Sequence, residues 1–309
     1  MAWSIRNLSA AIGLCCWLGL PAHAAEIRCD RFYDFDYTGS QQRREVARKL
    51  WPSGRTPTPG MACADGFLSG PIETGDYEKI LKFYRANHPF LGAFKLVSLG
   101  GVVSEALKIG ALFRRYLIET WAPYRFAGSD PVLFAASKLN EQISYLCHGE
   151  ACVCVSACAL IWFGGVERYG SVGLHRPRIE DTGFKALSPG EASLVYRRLL
   201  ENIAVYLDEM EVPKSMVESM VATGSAEIRW VDYSNDSLQR PPSMAEWEDA
   251  SCGSFPQVEE ETMLSLMTKG SNRSRQEEML FKLLFGKSNA KSNCKNTLIS
   301  SQRDRLVPP

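Results

Sequence analysis

The sequence predicts an α/β fold with a mainly parallel sheet, and three observations carry that expectation. Short apolar runs of strand length alternate with stretches of helical periodicity, Gly and Pro clusters mark the joints, and a strand–glycine turn–helix unit recurs. A parallel pair of strands needs a crossover of that kind. Apolar residues make up 45% of the 309, enough for a sizeable core. Lys plus Arg number 35, as do Asp plus Glu, so the formal net charge is zero. That balance argues against a dedicated binder of nucleic acid or anionic membrane.

Taken in order, residues 1–24 read as a signal peptide. Arg6 supplies the positive start, Leu8 to Leu20 the apolar run, and Ala22-His23-Ala24 a small-x-small cleavage site. The run is shorter than the ~20 residues of a spanning helix, so the expected location is outside the cytoplasm, in the bacterial periplasm. Residues 25–65 read as an irregular N-terminal extension with Pro52, Pro57 and Pro59, which a Cys29–Cys63 bond would pin.

The domain proper is expected over 66–240. A strand fits Gly66 to Ile72 and an amphipathic helix Asp76 to Asn87, with Ile80, Leu81 and Tyr84 on one face. A second strand, Phe94 to Ser98, runs into Gly100-Gly101 and a helix from about Ser104 to Leu117. Residues 122–150 read as an insertion or lid with a short helix around Leu133 to Tyr145. The small, cysteine-rich stretch Ala151 to Gly165 follows, then a strand over Ser171 to His175. Ser188-Pro189-Gly190-Glu191 is a capping box with proline at the first helical position, opening the longest helix, to about Met210. A helix over Pro213 to Met220 and a strand over Ile228 to Val231 complete the unit. In residues 241–309 a linker at Arg240 to Ser243 leads to a helical C-terminal tail, Val258 to Met267 and Arg275 to Phe285, with disorder expected from Lys287 onward.

Signal removal leaves eight cysteines: Cys29, Cys63, Cys147, Cys152, Cys154, Cys158, Cys252 and Cys294. An even count in an exported chain points to disulfides. The cluster Cys147, His148, Cys152, Cys154, Cys158 lacks the repeated C-x-x-C knuckle of a zinc site. No metal and no cofactor is expected.

Three histidines can serve as a base: His88, His148 and His175. His175 ends a short strand before Arg176-Pro177, at the strand end where sites of parallel sheets collect. Ser156, among small residues, opens an apolar helical run, where free N–H groups stabilise a developing oxyanion. Gly100-Gly101 lets backbone N–H groups approach a substrate closely.

Three segments in this order, Ser98-Leu99-Gly100-Gly101, Cys154-Val155-Ser156-Ala157-Cys158-Ala159 and His175-Arg176-Pro177, resemble the Clp protease proteolytic subunit and its crotonase-superfamily relatives. The closer resemblance is to the exported, periplasmic branch, with its Cys-x-Ser-Ala-Cys-Ala segment. It covers about Gly66 to Val231 and implies a Clp protease/crotonase-like spiral of ββα units. It further implies Ser156 as nucleophile, His175 as general base, an oxyanion hole from the Ala157 N–H and Gly100-Gly101, and a peptide or protein substrate. The family aspartate has no counterpart at its place in Thr223 to Ile228. Glu227 is the first substitute and Asp232 the second, and a Ser–His dyad is the alternative. Leu99 replaces the family proline, and a bond between Cys154 and Cys158 would brace or block the serine.

Family members form rings or trimers, which leaves a homo-oligomer open, and no ATP-binding loop is present. The implied function is an ATP-independent exported serine hydrolase, a peptidase. Its alternative is a catalytically inactive Clp-like binding or assembly module of the cell envelope. A crotonase-like acyl-thioester enzyme is disfavoured, because no basic set lines up for the phosphates of coenzyme A.

Overall fold

The computed structural model describes residues 25–32, 41–55, 61–126, 128–134, 145–179, 182–231, 236–254 and 260–308. Residues 1–24, read above as a signal peptide, and Asp232 lie outside the described residues. The architecture is mixed α/β with a mainly parallel central sheet.

The elements run β1 (Glu26–Phe32), α1 (Gln41–Leu50), β2 (Cys63–Ser69), α2 (Asp76–Asn87), β3 (Ala93–Val97), α3 (Val103–Arg115) and β4 (Glu119–Trp121). The two short strands β5 (Val132–Phe134) and β6 (Tyr145–His148) precede α4 (Ala157–Phe163), β7 (Arg168–Tyr169) and β8 (Val172–Leu174). Then come α5 (Thr182–Lys185), α6 (Pro189–Glu209), α7 (Lys214–Ala222), β9 (Arg229–Val231), α8 (Asp236–Gln239), α9 (Pro242–Cys252), α10 (Glu260–Thr268) and α11 (Arg275–Arg305). The central sheet has the order β1-β2-β3-β4-β7, parallel except for the antiparallel edge strand β1.

Register divides this sheet into two unlike faces, because successive side chains alternate. Leu68, Phe94 and Leu96 point into one continuous core with Ile80 and Tyr84 of α2, Ile109 and Phe113 of α3, and Trp162 and Phe163 of α4. The rings of Phe94 and Phe113 stack at 4.7 Å. Asp65, Lys95, Glu119 and Trp121 take the other face. Its upper part, Phe67 and Trp121, is roofed by Leu133 and Leu146 of the β5–β6 pair.

Several expectations need correction. The N-terminal extension is not irregular throughout: Glu26–Phe32 pairs along β2, its charged residues suiting an edge strand. The helix expected at Leu133 to Tyr145 is strand at both ends, β5 and β6, and its middle lies outside the described residues. Pro242 does not extend a linker but takes an early position of α9, where its missing N–H costs nothing. The tail from Lys287 is ordered helix as far as Arg305. Ser274 and Glu277 cap α11 reciprocally, and its far end is held by tertiary bonds that a polar sequence does not advertise. Arg303 donates to the carbonyls of Leu117 and Gly92, Asp304 accepts from Ser53, and Tyr116 donates to Val307 O.

All eight cysteines pair: Cys29–Cys63, Cys147–Cys152, Cys154–Cys158 and Cys252–Cys294. Four disulfides suit an oxidising compartment. Among the described residues no helix is long and apolar enough to cross a membrane. The disulfides are consistent with an exported protein.

Candidate active site

Two short segments extend the parallel pattern past β3. Cys154 bridges Ser98 and Val155 bridges Gly173, so the chain before Ser156 runs between the end of β3 and β8. The Ser156 N–H donates to Gly173 O at 3.0 Å, and there the chain turns into α4. Ser156 makes this strand-to-helix turn at φ 58°, ψ −124°, a conformation that L residues with a side chain rarely adopt. Such strain is held only where the surroundings over-determine it, and it clusters at functional positions. A serine on a sharp strand–turn–helix corner presents its hydroxyl outward.

The surroundings are explicit. Below the turn, Cys154 and Cys158 are fully buried in the core and joined by a disulfide that spans the serine. The bond lies under Ser156, which stays half-exposed, so it braces the corner rather than blocking it. Behind it, Gly164 fixes α4 against α3: a Cβ there would lie 2.2 Å from Gly110 O. Tyr206 of α6 donates to Leu160 O at 2.7 Å and locks the same helix from the far side.

In front stands the glycine turn. Ser98 Oγ accepts from the Gly100 N–H at 3.0 Å, and Gly100 takes φ +103°. A Cβ on Gly100 would lie 2.6 Å from Ser156 Cβ, 3.0 Å from its Oγ and 3.1 Å from the Ala157 nitrogen. Gly100, Ser156 and Ala157 therefore converge on one spot, and glycine is required at the first. Gly101 bridges Ile72. Among the described residues nothing accepts from the N–H of Ala157 or of Gly101, and Ser156 Oγ has no partner. Gly100 itself differs from its expected part as a donor, because Ser98 already takes its N–H.

His175 follows β8, two residues beyond the carbonyl that holds the Ser156 N–H. Its Nδ1 lies 2.9 Å from Arg176 O. A carbonyl can only accept, so Nδ1 carries the proton and Nε2 the free lone pair. No hydrogen bond joins Nε2 to Ser156 Oγ in this structure. Of the other histidines, His88 Nε2 lies against Arg303 O at 2.9 Å and His148 stands beside Asp130.

No hydrogen bond joins Glu227 to His175 in this structure. The β8–β9 pairing ends with Leu174 opposite Arg229; beyond it the Arg176 N–H donates to Thr223 O and the Glu227 N–H to Gly224 O, so Glu227 sits in the turn that follows α7. The residue is exposed. Sequence reasoning missed the part of Arg176 O, which has no side-chain signature, and of Ser98, whose hydroxyl shapes the glycine turn. No family model and no curated protein matches this chain.

Proposed function

We propose that the protein is an ATP-independent serine hydrolase, acting on peptide bonds, with Ser156 as nucleophile and His175 as base. The observation that carries the reading is the strained corner at Ser156, whose free Oγ faces Gly100 beside two unused N–H groups. Ser156 Oγ attacks the scissile carbonyl, its proton passes to His175 Nε2, and the N–H groups of Ala157 and Gly101 hold the oxyanion. His175 then returns the proton to the leaving amine, and water releases the acyl group by the same steps reversed. Arg176 O orients the imidazole in place of an acid, which makes the pair a dyad. Hydrogen bonds between nucleophile and base are often long in free enzymes and tighten on the substrate. The parallel bridges after β2 and β3, Ile72–Gly101, Ser98–Cys154 and Val155–Gly173, support a Clp-like spiral of ββα units.

A fluorophosphonate probe tests the reading on signal-free protein with its disulfides intact. The wild type is expected to label, Ser156→Ala and His175→Ala to lose labelling by about 10³-fold or more, and Glu227→Gln to keep it. A folded wild type that does not label would sink the hydrolase. The absence of a direct Ser156–His175 hydrogen bond would then favour a catalytically silent binding module of the envelope.

A further inference from the structure

The outer face of the central sheet carries charge where a parallel sheet is ordinarily covered by apolar packing. Asp65 on β2 and Glu119 on β4 flank Ala93 in one row across the sheet, and Lys95 lies two residues further along β3 on the same face. Facing them, α11 presents Ser292, Asn296 and Ser300, a polar stripe at four-residue spacing. Between helix and sheet lies a cavity of about 860 Å³. A smaller one of about 220 Å³ adjoins it, and Arg31, Asp65, Ala93 and Glu119 line both. The larger volume is within the range of sites for small molecules.

Most charges here have partners. Asp65 takes a two-pronged hydrogen bond from Arg31, Lys95 pairs with Asp30, Lys295 binds Glu167 at 2.9 Å, and Arg303 is held by backbone carbonyls. Glu119 is the exception. Its backbone N–H donates to Gly92 O, but no donor among the described residues reaches its half-buried carboxylate. A carboxylate withdrawn from water without a partner is costly. Among the described residues Lys49, exposed on the same cavity, has no acidic partner either, and the side chains of Asn296 and Ser300 make no hydrogen bond. No set of three metal-ligating side chains is present among the described residues. An organic cation suits Glu119 better than a metal ion, since an ammonium offers three donors for the carboxylate and the polar stripe together.

We infer that this cavity binds a small zwitterion, a free amino acid or short peptide, with its ammonium on Glu119 and its carboxylate met by Lys49. The site stands on the outer face of the sheet, apart from the Ser156 corner, and does not depend on the hydrolase reading.

Calorimetric titration tests it, with each of the twenty standard amino acids and with dialanine as probes against the signal-free protein. At least one probe is expected to bind with submillimolar affinity. Glu119→Gln should weaken that probe by about tenfold or more, and so should acetylation of its amino group. Ser156→Ala should leave the affinity unchanged, and thermal unfolding checks that each variant is folded. No binding by any probe at millimolar concentration overturns the inference, as does equal affinity in folded Glu119→Gln or equal binding of the acetylated probe.

Discussion

Holding Ser156 at φ 58°, ψ −124° costs about 1–3 kcal/mol for any residue with a Cβ. Glycine escapes that cost but brings a more flexible unfolded chain, an offset of about 1 kcal/mol at most. Ser156→Gly is therefore expected to be about 1 kcal/mol more stable than Ser156→Ala, both unreactive, as read by urea unfolding. Equal stabilities would remove strain from the account of the site. Glu119 makes a second residue-scale prediction. Burial raises its pKa above the ordinary 4.5, Arg303 opposes the rise, and Glu167 adds to it. Between 4.5 and that raised value the folded state holds a proton the unfolded state has lost, so this group's contribution falls as pH rises through the window. Glu119→Gln, which never ionises, should match wild type at pH 4 and exceed it in stability at pH 8. A variant less stable at pH 8 would contradict the burial argument. Ser156 and Gly100 were legible in the sequence because small residues at a strand–helix joint leave few uses for a hydroxyl. The ring partner of His175 was not, since every residue carries a carbonyl.

At the scale of elements, the helices α2, α3 and α6 were readable from periodicity and capping, to within a residue or two at their ends. Strands β4 and β7 were not, being three and two residues long and given their identity by neighbours rather than by pattern. The C-terminal helix misled more seriously. Its polar composition reads as solvated chain, yet it is tied to the domain by Lys295–Glu167, by Lys291 with Glu248 and Asp249, and by the Cys252–Cys294 bond. That disulfide closes a loop of 42 residues, for which chain-entropy arguments give about 4 kcal/mol. Replacing both cysteines by alanine should lower stability by that order. It should also loosen α11, seen as faster amide exchange over Lys287 to Arg305. Unchanged exchange there would mean that ion pairs and Arg303 suffice.

For the whole molecule, a sheet with one apolar and one charged face lets a single layer serve two purposes. The inner face packs the helices that fix Ser156, and the outer face borders a polar cavity. Such an arrangement was half-visible in the sequence. The apolar residues of the inner face gave the α/β class. The charges of the outer face looked like ordinary surface, because nothing local says that a helix from the far end of the chain covers them.

Arg303 lies 186 residues from Leu117 and 211 from Gly92, and Asp304 lies 251 from Ser53. Contacts so distant in sequence form slowly, because the intervening chain must first be ordered. Helix α11 is thus the clasp of segments that precede it by some two hundred residues, those before β2, β3 and β4. Until it arrives, the carbonyls of Gly92 and Leu117 lack the guanidinium that joins them. A nascent or clipped chain ending short of Arg303 would be an open intermediate, its charged sheet face bare to proteases and chaperones alike.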